Sequence, residues 1–188
     1  MQETDFKQNK ILLGLSLVLI GLFLVFLKPT GTNYSPDYTF ESEPVQIQGF
    51  QESDGDEARL PRKIVVPDLS IDLEVAKAKV VKGYWEVFPD KAGWGDGSGL
   101  PGEAGNQVIF AHAREGLFLP LRDIKKGMLI YVFTEKEWYE YEVEEIKEVY
   151  PDQTEVISPT EDETLTLYTC SGFNDSKRLI AVAKRANL

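Results

Sequence analysis

Cysteine and histidine each occur once in this chain of 188 residues. One cysteine makes no intramolecular disulfide, so packing alone must hold the fold. One cysteine and one histidine do not build a common zinc site either. Basic residues are short as well. Twenty Lys and Arg stand against 31 Asp and Glu, for a net charge of −11. Nucleic acid needs a basic patch for its phosphates, so it is excluded as a partner. There is no G-x-x-x-x-G-K phosphate loop, no internal repeat and no low-complexity tract. Trp85, Trp94 and Trp138 read as core and loop anchors rather than as a sugar platform.

One long apolar run is present. Ile11–Leu27 carries no charge, and as a helix it would extend about 25 Å, enough to cross a bilayer. No small-residue cleavage site follows and no cysteine is available for lipidation. The expectation is a short cytoplasmic leader (1–10) and an uncleaved transmembrane signal anchor (11–28). Lys7 and Lys10 before the span, against Lys28 after it, put the N-terminus in the cytoplasm and the rest outside. The expected location is therefore the cell membrane, with a single pass through the lipid bilayer. Residues 29–60 carry seven acidic residues, Pro, Gly, Ser and few apolar residues, as a flexible acidic linker does.

Residues 61–188 suffice for one compact domain. Short strand-like runs recur at 63–67, 71–75, 78–81, 84–88, 106–112, 128–133, 138–150, 164–170 and 178–183, and 93–105 reads as a glycine-rich loop. Residues 117–124 read as a single helical turn. The class is mostly β: a closed barrel or sandwich of about eight strands with short helical turns.

Cys170 ends Thr-Leu-Thr-Leu-Tyr-Thr-Cys, His112 ends Asn-Gln-Val-Ile-Phe-Ala-His, and Arg178 opens Arg-Leu-Ile-Ala-Val. Singly, these are a small hydrophobe, a surface imidazole and a strand flank. Together they suggest a thiolate nucleophile, a proton carrier and a cation for developing charge. Alternation puts Leu165, Leu167 and Thr169 toward the core, and Tyr168 and Cys170 on the outer face. If strands 164–170 and 178–183 pair, Arg178 lies beside Cys170. Arg114 is the rival cation, sharing the face of His112 if that strand continues.

These three segments, in this order and behind a signal anchor, resemble the sortases. Thr-Leu-Tyr-Thr-Cys is similar to their T-L-x-T-C signature, with Tyr168 at the variable position; Ala111 stands where many relatives have glycine. The resemblance implies a closed eight-stranded sortase-like β-barrel and a cysteine transpeptidase of the outer membrane face. It implies Cys170 as nucleophile, His112 as general acid/base and Arg178 as stabiliser of the oxyanion or substrate backbone. The implied partners are exported proteins with a C-terminal sorting signal similar to Leu-Pro-x-Thr-Gly, and an amine of a cell-wall precursor or a pilin. Thr169 helps shape the substrate site, and Val156, Ile157 and Pro159 line a groove for the signal or pack their loop onto the barrel. No cofactor is expected. Calcium, held by some relatives near this loop, has Glu161, Asp162 and Glu163 as its only candidates here, without EF-hand spacing. No second apolar span follows Cys170, which favours a class D/E-like sortase over the pilus type.

Reference pKa values near 8.5 and 6.5 leave only about one molecule in a hundred with thiolate and imidazolium together at pH 7. Two other readings stay open: an anchored cysteine peptidase that only hydrolyses, and a non-enzymatic anchored β domain.

Overall fold

The computed structural model describes residues 57–186. The leader, the anchor and nearly all of the linker lie outside the described residues, so the expected span is not among them. No helix of the described residues is long and apolar enough to cross a membrane.

Among the described residues ten strands form, connected by turns and short 3-10 segments. They are β1 (Lys63–Val66), β2 (Ile71–Ala78), β3 (Val80–Val81), β4 (Tyr84–Trp85) and β5 (Ala92–Gly95). Then come β6 (Gly105–Phe110), β7 (Leu129–Phe133), β8 (Trp138–Val149), β9 (Glu163–Ser171) and β10 (Lys177–Arg185). Eight of them close a barrel in the order β1-β2-β5-β6-β9-β10-β8-β7, while β3 and β4 form a separate two-stranded ribbon. Closure leaves the barrel no unpaired edge. Two joints are parallel, β2 with β5 and β6 with β9, and the others are antiparallel.

The expected mostly-β barrel is therefore present, but its membership differs from the sequence reading. The start of the supposed glycine loop is a barrel strand. Gly93 and Gly95 are what make it one. A Cβ at Gly95 would stand 2.5 Å from the Trp85 ring, and one at Gly93 would stand 2.9 Å from the Phe110 ring. Trp85 and Phe110 stack at 5.6 Å between centroids, so two large rings lie where these residues have no side chain. The runs at 78–81 and 84–88 supply the outer ribbon instead.

The barrel interior holds the main core, including Ile64, Ile109, Phe118, Leu165 and Leu167. A second apolar cluster lies outside it. Trp85 from the ribbon and Ile157 from the 3-10 turn Thr154–Ile157 pack with Phe110, Tyr168 and Ile180. The alternation expected for β9 holds, yet its outer face is covered: Thr164, Thr166 and Tyr168 are all buried. Leu60, the last residue assigned to the linker, is buried in the main core.

Candidate active site

β9 and β10 are antiparallel, and their register sets Arg178 opposite Cys170 and Ile180 opposite Tyr168. Cys170 is a half-buried thiol outside any disulfide, at the end of the covered row. The chain then turns sharply, with Gly172, Asn174 and Asp175 all at positive φ. Glycine, Asn and Asp are the residues that tolerate this conformation at least cost.

β6 and β9 run parallel, with Phe110 opposite Tyr168. Beyond that last ladder pair the two chains stay joined at Ala111, next to His112, and at Thr169, next to Cys170. Two bonds stitch the joint there. Ala111 N–H donates to the Tyr168 carbonyl at 3.4 Å, and the Thr169 hydroxyl donates to the Ala111 carbonyl at 2.8 Å. Thr169 is buried, so it braces the residue before the imidazole against the residue before the thiol.

β6 ends at Phe110, and the chain beyond His112 coils back. Arg114 N–H and Phe118 N–H both donate to the His112 carbonyl at 3.0 Å. The strand does not continue to Arg114, whose side chain is exposed. Its charge still matters. Burial, then the Arg114 guanidinium, hold the half-buried His112 below the ordinary histidine range, and the Asp175 carboxylate works in the opposite direction.

Arg178 is 3% exposed. Its Nη1 donates to the carbonyls of Asp175 at 2.7 Å and Lys177 at 2.9 Å. Burial pushes the neighbouring Tyr168 hydroxyl up, and the charge of Arg178 opposes it.

A cavity of about 340 Å³ opens beside Cys170. It lies toward Phe118, Leu119 and Leu179 at the barrel end and carries Arg122, Glu148 and Asp175 on its walls. Thr169 also borders it. The sequence reading missed those three charged residues. Asp175 is near Cys170 in sequence, but Arg122 and Glu148 come together with it only through barrel closure, and no local pattern marks them.

The loop before β9 is placed elsewhere. Ile157 is buried in the outer cluster, Val156 packs half-buried against it, and Pro159 is exposed. None of the three borders the cavity. Asn106 Nδ2 donates to the carbonyls of Val156 and Ser158 and ties this loop to β6. The acidic run offers little to calcium. Glu163 Oε1 already accepts from Tyr141 Oη and Gly102 N–H, both at 2.8 Å. Among the described residues no group of three or more His, Cys, Asp or Glu is placed to hold a metal ion.

A sortase-domain profile matches residues 64–186, most of the chain and nearly all of the barrel. The chain belongs to the sortase family. That family is one of cysteine transpeptidases. This sortase is 30% identical to Sortase A of Listeria monocytogenes, over 81% of this chain and 70% of the relative. It is 29% identical to Sortase A of Bacillus anthracis over 68% of this chain, and spans 60% of that relative's length. Its barrel is similar to a solved sortase A from Corynebacterium diphtheriae, a lid mutant, with a TM-score of 0.60 and 27% identity, covering 72% of this chain and 74% of the other.

Proposed function

We propose that the chain cleaves a Leu-Pro-x-Thr-Gly-like sorting signal of exported proteins and transfers the acyl group to a cell-wall or pilin amine. What supports this reading is the pairing of Arg178 with Cys170 across β9 and β10, with His112 following the Ala111 that bonds to Tyr168 and Thr169. Cys170 attacks the scissile carbonyl and forms a thioacyl enzyme. His112 as imidazolium gives a proton to the leaving amine. Arg178 brings a planar guanidinium fork and stabilises the oxyanion or the substrate backbone. It does so after turning from the Asp175 and Lys177 carbonyls it now holds.

Thr169 acts as a brace between the two catalytic strands. Val156 and Pro159, on the loop over the Tyr168 face, bear on the sorting signal, while Ile157 fastens that loop to the barrel. A thioester keeps the acyl group activated, so an amine competes with water for it. The apolar segment 11–28 holds the domain on the outer face of the membrane, where such substrates arrive, with the N-terminus in the cytoplasm.

The test is mass spectrometry of residues 57–188 incubated with a panel of such peptides. A thioacyl adduct on Cys170 is expected, together with amine-dependent product. Cys170→Ala should abolish cleavage and keep the fold, because the half-buried thiol stands next to the end of β9 and outside both apolar clusters. Turnover by that variant overturns the reading, and product formed by water alone converts it to a hydrolase.

A further inference from the structure

The loop between β8 and β9 has little of its own to hold it. Among residues 150–162 only Ile157 is buried, and the one regular piece is the 3-10 turn Thr154–Ile157. A 3-10 segment this short makes poor internal bonds, so its shape depends on what lies beneath it. Asn106 lies beneath it. Alternation along β6 puts Asn106 on the outer face with Val108 and Phe110, both members of the outer apolar cluster. A buried amide beside such neighbours needs partners for its polar atoms.

The partners come from two sides. Asn106 Nδ2 donates to the carbonyls of Val156 at 3.2 Å and Ser158 at 3.0 Å. Its Oδ1 accepts from the buried Thr166 hydroxyl at 2.7 Å. Carbonyls only accept, so the amide must turn its NH2 group to the loop and its oxygen to Thr166. The two carbonyls flank Ile157, and one side chain thus clamps the turn on both sides of its buried residue. The clamp has a fixed mount. The Asn106 carbonyl accepts from Gly99 N–H at 2.8 Å, and a Cβ at Gly99 would stand 3.0 Å from the Asn106 backbone.

We propose that Asn106 is a positioning residue for substrate recognition, holding residues 154–159 in their binding shape before the sorting signal arrives. The proposal rests on the reading above that Val156 and Pro159 bear on that signal. Asn106 is buried under the loop and acts through it. Val156 is half-buried and Pro159 exposed, and both ride on the clamped backbone. A loop already in shape loses no further conformational entropy on binding, so the clamp acts on affinity rather than on bond breaking. Asn106 and Thr166 also lie on the strands that lead to His112 and Cys170, which sets the loop in register with both.

The experiment compares two near-isosteric variants. Asn106→Asp keeps the acceptor for Thr166 and removes both donors to the loop. Thr166→Val removes the hydroxyl and leaves both donors. Affinity for a Leu-Pro-Ala-Thr-Gly peptide is read in a Cys170→Ala background, where no chemistry follows. Asn106→Asp should raise Kd by about tenfold or more, as the loss of two hydrogen bonds supplies. Thr166→Val should lower Tm but change Kd by less than about twofold, since both loop bonds remain. With Cys170 restored, the Asn106→Asp loss should fall on KM more than on kcat, and iodoacetamide should alkylate Cys170 at the parent rate. An unchanged Kd, or alkylation that slows in proportion to kcat/KM, overturns the proposal. Hydrogen exchange needs no variant at Asn106. The Ser158 amide, bonded to the Glu155 carbonyl at 3.1 Å, should be protected before the peptide binds and no more so after. Protection gained only on binding also overturns it. Failure of the underlying readings looks different. If Val156→Ala with Pro159→Ala leaves Kd unchanged, the loop reading falls and takes this role with it. If those changes raise Kd and Asn106→Asp does not, the positioning role alone falls. If Asn106→Asp weakens binding but no thioacyl enzyme forms in the parent, the transpeptidase reading falls and the clamp stands.

Discussion

Arg178 and Cys170 are register partners, and the guanidinium also donates to backbone carbonyls. At this burial a charge needs such partners, since an unpaired one costs several kcal/mol. Arg178→Lys keeps the charge but loses the planar fork, so a single ammonium must replace a rigid donor set. kcat/KM should fall by about 10²–10³, the usual loss for an oxyanion donor, with circular dichroism unchanged. Arg114 has a different part. As a cation near His112 it disfavours imidazolium, so Arg114→Gln should raise the histidine pKa. For a thiolate–imidazolium pair the acid limb of the kcat/KM profile follows the histidine. That limb should lie below the ordinary histidine value in the parent and move to higher pH in the variant. A limb that stays put removes Arg114 from the electrostatics of the site. Cys170 and His112 stand out in the sequence as single occurrences, and Arg178 because it opens a strand pattern. Thr169 was legible as a neighbour of the thiol, but its bond to Ala111 joins positions 58 apart and has no local signature.

The elements were legible where side chains alternate. In β9, Leu165 and Leu167 point inward as alternation requires. The reading failed at β5, Ala92–Gly95, because glycine normally weakens a strand and marks loops. Here the absent side chains are the fit, since Trp85 and Phe110 fill the space. Gly95→Ala tests this directly. A methyl group would meet the buried Trp85 ring, whose Nε1 donates to the Asp96 carbonyl at 3.0 Å and limits its retreat. Overpacking of this kind costs about 1–3 kcal/mol, so Tm should drop by several degrees in a thermal melt. An unchanged Tm would show that the ring yields freely. The outer cluster was not legible, because nothing local tells a strand face that a distant ribbon will cover it.

At the scale of the molecule, length and strand count pointed to one barrel, and closure supplies what they left open, namely which strands are neighbours. The described residues complete that barrel without residues 1–28. Deleting them should therefore yield a soluble domain with the thioacyl-forming activity of the full chain, checked by size-exclusion chromatography and adduct mass. Aggregation would mean that the apolar segment belongs to the domain core. The parallel joint between β6 and β9 has a kinetic consequence. Hairpins such as β1-β2, β7-β8 and β9-β10 form from nearby sequence, but this joint closes a long loop and must await it. Such non-local pairing is slow, on the order of milliseconds to seconds. Thiol and imidazole therefore meet only late in refolding. A partly folded chain carries an ordinary cysteine, and reactivity appears only when the ring of strands is complete.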